Sequence, residues 1–157
     1  MNQLNNEQEI ATDNEIQAVQ RTFELIMPIA DTFSSIFYTR FFAKDPAARP
    51  LFKTDMASQR QKVIDMLALA VRGLDEPQTM VRELEALGQR HVTYHVEPQH
   101  YIHMNTAILE TLADCLGENF TSGMRRSWIK ALELLTTVML KGSAGSIVES
   151  AKLSAQA

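Results

Sequence analysis

The stretch Leu87-Gly88-Gln89-Arg90-His91-Val92-Thr93-Tyr94 decides how the chain is interpreted, because it places a histidine near the end of a predicted helix. His91 follows Leu84, Leu87 and Gly88 by seven, four and three residues, so the four residues share one helical face. The imidazole therefore points into an apolar interior, and the glycine one turn earlier lets a bulky group approach the backbone. Taken alone, this pattern fits either a hydrogen-bonded core histidine or a metal ligand.

The composition is that of one ordinary globular domain. Of 157 residues, 45% are hydrophobic and 22% are charged, and the net charge of −4 gives no reason to expect nucleic acid or an anionic membrane. The single cysteine, Cys115, excludes an internal disulfide and a thiolate zinc site. The N-terminus is polar and no apolar run reaches membrane-spanning length, so we expect a cytoplasmic protein with no membrane partner.

Apolar residues recur every three or four positions, which predicts an all-α fold. Helix boundaries follow from prolines, caps and glycines, and the predicted helices cover about 14–27, 29–43, 55–73, 77–92, 98–116 and 122–141. We expect Thr54 and Thr121 to cap two of them, and Gly117 and Gly142 to end two. The chain then divides into a polar N-terminal arm (1–13), a folded domain (14–142) and a small polar tail (143–157).

All four histidines fall between His91 and His103, so a metal site has to be considered. Glu97-x-x-His100 resembles half of a di-iron motif, but the sequence lacks the second copy that this site requires. Zinc at His91 and His95 would need both residues on one helix, which Thr93-Tyr94 is expected to interrupt. The residues fit better with a haem that uses His91 as its axial ligand, since this needs one imidazole, a facing helix and apolar walls.

The facing helix is available about thirty residues earlier in the chain. Gln59 and Val63 are four residues apart and so lie on one face, with Lys62 at its margin. Gln61 is two residues from Val63, about 200° around the helix, so it would face away from a haem that Val63 faces.

Three motifs then occur in a characteristic order and spacing: Phe37–Pro46 (FYTRFFAKDP), Arg49–Phe52 (RPLF) and Leu87–His91 (LGQRH). His100-Tyr101 and Phe120-Thr121 with Trp128 complete the set. Together they resemble the globins, specifically the bacterial single-domain globins and the globin portion of flavohaemoglobins, with neuroglobin as a more distant relative. The resemblance covers 14–142, which it identifies as a globin domain, and implies a three-over-three helical sandwich around a haem pocket.

The resemblance also implies the cofactor and the residues around it. The cofactor would be haem b (iron protoporphyrin IX), with His91 as the proximal iron ligand and Phe52 wedged against the ring. Tyr38 and Gln59 match the distal pair that donates hydrogen bonds to a gas on the iron, and Val63 matches the small apolar residue above it. The residues expected to contact the cofactor are Phe52, Lys62, Val63, Met66, Leu87, Arg90, His91, Tyr94, Val96, Tyr101 and Met104.

The function implied is reversible, high-affinity binding of O2, with NO and CO as further ligands. Two donors of about 1–3 kcal/mol each would slow O2 escape by roughly a hundredfold or more. Nitric oxide dioxygenation would need an external reductase, because the reductase domains of flavohaemoglobins are not part of this sequence. The alternatives are a haem-based gas sensor that signals to a partner protein and a globin-like interaction domain that has lost its haem. A monomer and a homodimer both fit.

Two positions depart from the flavohaemoglobin pattern. Tyr101 matches the tyrosine linked to the proximal histidine, but the glutamate expected fifteen residues after Trp128 is Ser143. We therefore do not expect the strongly electron-donating histidine of a peroxidase-like site. His95 stands where relatives often have glycine, and histidine tolerates the left-handed backbone that such a corner needs better than most residues do.

Overall fold

The computed structural model describes residues 12–53, 55–93 and 96–155, without the side chains of 92–93 and 143–155. Within this part of the chain there are six α-helices and no β-strand, which confirms the all-α prediction. The helices are α1 (Asp13–Ile26), α2 (Ala30–Lys44), α3 (Met56–Gly73), α4 (Pro77–Thr93), α5 (Pro98–Leu116) and α6 (Ser122–Ala155). Short 3-10 helices cover Met27–Ile29, Pro46–Leu51 and Gly117–Asn119.

Local signals place most of these boundaries. The side chain of Thr121 accepts a hydrogen bond from the backbone N–H of Met124 at 3.2 Å, which confirms it as the cap of α6. Gly117 ends α5 with a φ of +53°, a conformation that favours glycine. The cap of α3 is Asp55, which accepts from the N–H of Ser58 at 3.0 Å. The prediction of Thr54 as this cap was wrong, because the helix begins one residue later; Thr54 itself lies outside the described residues.

The predicted end of the last helix at Gly142 was also wrong, since the backbone of α6 stays helical to Ala155. The glycine has a packing role instead. A Cβ at Gly142 would overlap the backbone carbonyl oxygen of Glu85 on α4. Gly142 therefore lets two helices approach closely, and its sequence signal was mistaken for that of a helix stop.

The helices enclose one apolar core. Its largest fully buried side chains are those of Trp128, Phe33, Phe37, Ile26, Leu67, Leu84, Ile108, Leu112 and Met139. Helix α4 packs mainly on α6, α2 packs on α5, and α3 contacts both α2 and α4. Among the described residues, we find no helix with the length and apolar character needed to cross a membrane.

Candidate functional site

The structure brings together three of the predicted site residues where α2 meets α3. Tyr38 on α2 is only 6% exposed, and its hydroxyl donates a hydrogen bond of 3.1 Å to the backbone carbonyl of Gln59 on α3. The ring of Phe52 lies edge-on to Tyr38, with 5.6 Å between ring centroids. These three residues were predicted from separate parts of the sequence, and the structure places them in one cluster.

The position of Phe52 is set by two further aromatic rings. Its centroid lies 5.3 Å from that of Phe42 and 6.1 Å from that of Phe41, both in edge-on geometry. Such pairs contribute about 0.5–1.5 kcal/mol each beyond the area that they bury. The guanidinium of Arg49 lies 5.3 Å from the centroid of Phe42 and adds a cation–π contact. The ring of Phe52 is therefore fixed by its neighbours while remaining partly exposed.

The phenol of Tyr38 stays protonated over the physiological range. Burial raises its pKa well above the ordinary value of 10.0, because the ionised form would lose its hydration. The hydroxyl is thus a permanent hydrogen-bond donor. Its present acceptor is the main chain of Gln59 rather than a side chain.

On α4, His91 has the environment predicted for it. It is half-buried, and Leu84 and Gly88, on the same helical face, are buried. Burial lowers the pKa of His91, the positive charge of Arg90 lowers it further, and a backbone hydrogen bond at Leu87 acts in the opposite direction. The ring is therefore neutral at pH 7, and a neutral imidazole is the form of histidine that binds a metal.

On α5, the ring of Tyr101 lies beside that of His91. The two ring centroids are 5.9 Å apart and the rings are almost perpendicular, at 84°. Tyr101 is 3% exposed. The resemblance implied this pairing, because Tyr101 matches the tyrosine that flavohaemoglobins link to the proximal histidine. Four residues further along α5, the side-chain amide of Asn105 donates to the hydroxyl of Thr136 at 2.7 Å, which ties α5 to α6.

Five of the predicted wall residues share one property, which is partial burial of an apolar side chain against the core. This holds for Phe52, Met66, Leu87, Val96 and Met104, while Val63 is buried. Lys62 and Arg90 are exposed, and Tyr94 lies outside the described residues. Partly buried apolar side chains suit a flat, hydrophobic cofactor, because binding would remove their remaining apolar surface from water.

His100 and His103 lie on α5 rather than α4, beside the carboxylate of Asp45. Nδ1 of His103 lies 3.0 Å, and Nε2 of His100 3.7 Å, from one carboxylate oxygen of Asp45, which is 4% exposed. His100 also accepts the backbone N–H of Glu97 at 2.8 Å through Nδ1, in the first turn of α5. These contacts join the end of α2 to α5. Sequence reasoning missed this role of Asp45, whose side chain caps no N–H of the helical turn that follows it.

No group of three or more histidine, cysteine, aspartate or glutamate side chains in the described part of the chain could bind a metal ion. His95 lies outside that part. A haem needs only a single histidine from the chain, since the macrocycle supplies the other ligands of the iron.

Comparisons with known proteins identify the family of the chain. The family model for globins matches residues 35–139. The flavohemoprotein of Xylella fastidiosa (strain Temecula1) is 30% identical over 129 residues, which cover 79% of this chain and 32% of that protein. The flavohemoprotein of Vibrio cholerae is 24% identical over 132 residues, covering 82% and 34%. The chain thus spans about a third of the length of the curated relatives it matches.

Among solved structures, a hexacoordinated heme protein from an anhydrobiotic tardigrade superposes with a TM-score of 0.78 at 16% identity. The match covers 85% of this chain and 96% of that one. At this identity the likeness shows the fold alone, and it confirms the predicted globin fold.

Proposed function

The chain belongs to the globin family, and we propose that it binds haem b with His91 as the proximal iron ligand. The observation that carries the proposal is the place of His91. Its ring is half-buried on the apolar face of α4, and the buried ring of Tyr101 lies 5.9 Å from it between centroids.

The predicted wall residues match the chemistry of the cofactor. The partly buried side chains of Phe52, Met66, Leu87, Val96 and Met104 would line the faces of the macrocycle. The exposed cations Lys62 and Arg90 are opposite in charge to the two carboxylate groups of haem b. Haem would supply an iron centre that binds diatomic gases, and this chain would supply the surroundings that select among them.

We assign Tyr38 and Gln59 to the distal side, where they would favour O2. The Tyr38 hydroxyl remains protonated, and rotation about its C–O bond would redirect the hydrogen from the Gln59 carbonyl to a gas that carries partial negative charge. The Gln59 side chain offers an amide N–H as a second donor. Each such bond contributes on the order of 1–3 kcal/mol in a pocket of low polarity. Reversible, tight binding of O2 is the function that these residues support best.

Nitric oxide dioxygenation is the enzymatic activity that we propose beside O2 binding, on the strength of the similarity to flavohemoproteins. The reaction combines NO, O2 and one electron to give nitrate. The electron would come from a reductase. We expect a protein without a membrane partner that works in the cytoplasm.

The test of haem binding is absorption spectroscopy of the full chain produced with adequate haem. We expect a red protein whose Soret band is lost in His91→Ala and kept in His103→Ala, a control that changes a histidine paired with Asp45. A colourless wild-type protein after haem supplementation would contradict the proposal and favour an interaction domain. Sustained consumption of NO by the oxygenated protein with a reductase would support the enzyme, while its absence would favour O2 binding alone or a sensor.

A further inference from the structure

Helices α4 and α6 run side by side with their backbones in contact at two glycines. Gly88 on α4 lies against the backbone of Met139 on α6, and Gly142 on α6 lies against the backbone of Glu85 on α4. Each helix thus contributes one glycine. On α4, Gly88 lies three residues after Glu85, and on α6, Gly142 lies three residues after Met139. The two contacts are in register for antiparallel helices, because moving three residues forward on α4 corresponds to moving three residues back on α6.

Neither glycine has room for a side chain. A Cβ at Gly88 would overlap the carbonyl oxygen of Met139 and lie 2.8 Å from its carbonyl carbon. A Cβ at Gly142 would overlap the carbonyl oxygen of Glu85 and lie 2.8 Å from its carbonyl carbon and Cα. Ordinary contact begins at 3.4 Å, so clearing the carbonyl carbons alone requires a separation of about 0.6 Å, and clearing the overlapping oxygens requires a larger one. Backbone atoms inside a helix cannot rotate away as the end of a side chain can.

This contact lies next to the residue that would bind iron. His91 follows Gly88 by one helical turn, and α4 also contacts α3, the helix that carries Gln59 and Val63. Any group added between α4 and α6 therefore pushes α4 away from α6 and moves the imidazole relative to the distal residues. Functional groups must be held to within about 0.5 Å to act, and one added methyl group would displace the helices by more than this.

We propose that Gly88 and Gly142 are positioning residues, whose reciprocal backbone contact sets the distance and orientation of His91 relative to the iron. This inference rests on the proposed function, since it needs His91 as the proximal ligand. It also explains why α6 passes through Gly142 without ending there.

Resonance Raman spectroscopy of the ferrous, gas-free protein measures the iron–histidine bond directly. We expect Gly88→Ala and Gly142→Ala to shift this band and to speed haem dissociation about tenfold, the factor that corresponds to about 1.4 kcal/mol of lost binding. Gly142→Ala is a useful second variant because it alters no residue of α4. Gly123→Ala is the matched control, because a Cβ there would meet nothing closer than 3.8 Å; its band and rate should equal those of the wild type.

A second measurement separates positioning from general disruption. In a His91→Gly background, free imidazole replaces the side chain and is not attached to α4. If the glycines act through His91, adding Gly88→Ala or Gly142→Ala to this background leaves the iron–imidazole band unchanged. This holds even if the same glycine substitution prevents haem binding in the protein that keeps His91. A shift of equal size with free imidazole, loss of haem in both backgrounds, or no shift in either would overturn the proposal. A wild-type protein without an iron–histidine band would instead refute the proposed haem ligation itself.

Discussion

Replacing Tyr38 with phenylalanine tests the distal site most sharply, because the structure shows that its hydroxyl already has an acceptor. The variant keeps the ring that packs on Phe52 and removes only the oxygen that donates to the carbonyl of Gln59 at 3.1 Å. Any contribution of Tyr38 to O2 binding is therefore a difference between two hydrogen bonds. The expected effect of Tyr38→Phe on O2 dissociation is therefore smaller than for a hydroxyl that has no other acceptor.

The magnitude follows from that difference. A hydrogen bond to a gas with partial negative charge contributes about 1–3 kcal/mol, and leaving the Gln59 carbonyl costs about 1 kcal/mol. The net contribution is at most about 2 kcal/mol, so Tyr38→Phe should speed O2 dissociation by up to roughly thirtyfold at 1.4 kcal/mol per decade. CO carries less charge on its oxygen when bound, so its dissociation rate should change much less.

Stopped-flow ligand replacement and flash photolysis give both rates on the full-length protein. An equal acceleration for O2 and CO would show that Tyr38 does not donate to the gas. An O2 effect above about a hundredfold would show that the bond to Gln59 does not compete, which would refute the reasoning from the structure.

Three further predictions concern the same helices. Gln59→Leu removes the amide donor but keeps the carbonyl that accepts from Tyr38, so O2 dissociation should rise by roughly 5- to 100-fold; an unchanged rate would remove the side chain from the site. Because burial raises the pKa of Tyr38 in the folded protein, the unfolded chain loses the phenol proton at a lower pH than the folded one. The free energy of unfolding, measured by denaturant titration, should therefore fall as pH rises above 10.0 in the wild type and fall less in Tyr38→Phe. Parallel curves would contradict the burial of the phenol. Asp55→Ala should cost about 0.5–2 kcal/mol of unfolding free energy through loss of the α3 cap, with Asp65→Ala near zero as control.

The fold was largely predictable because its signals are local. Prolines and caps mark helix starts wherever they occur, and Pro77, Pro98 and Thr121 each stand where the structure begins a helix. The heptad-like spacing of Leu84, Leu87 and His91 placed the imidazole on the buried face of α4 without knowledge of the neighbouring helices.

What the sequence could not show depends on contacts between distant residues. Gly142 resembles a helix stop until its neighbour is known to be the backbone of Glu85. Similarly, the pairing of Asp45 with His100 and His103 joins residues more than fifty positions apart. Local spacing cannot distinguish a glycine that ends a helix from one that lets two helices touch, because both look alike along a single chain.

The acceptor of Tyr38 illustrates the same limit at the site. The motif predicted the residue and its closeness to Gln59, and the structure places the two residues in contact. The hydroxyl can reach either the main chain or the side chain of Gln59, depending on how far α2 and α3 are shifted along their axes. No sequence motif encodes this shift. The role of Gln59 as a distal donor stays a prediction.

The central claim is that His91 binds the iron of a haem, and the spectrum of the ferrous protein with its His91→Ala variant tests it most directly. We predict a wild-type Soret band and an iron–histidine Raman band, both lost in His91→Ala and both kept in His103→Ala. An unchanged spectrum in His91→Ala would show that another residue binds the iron and would contradict the account.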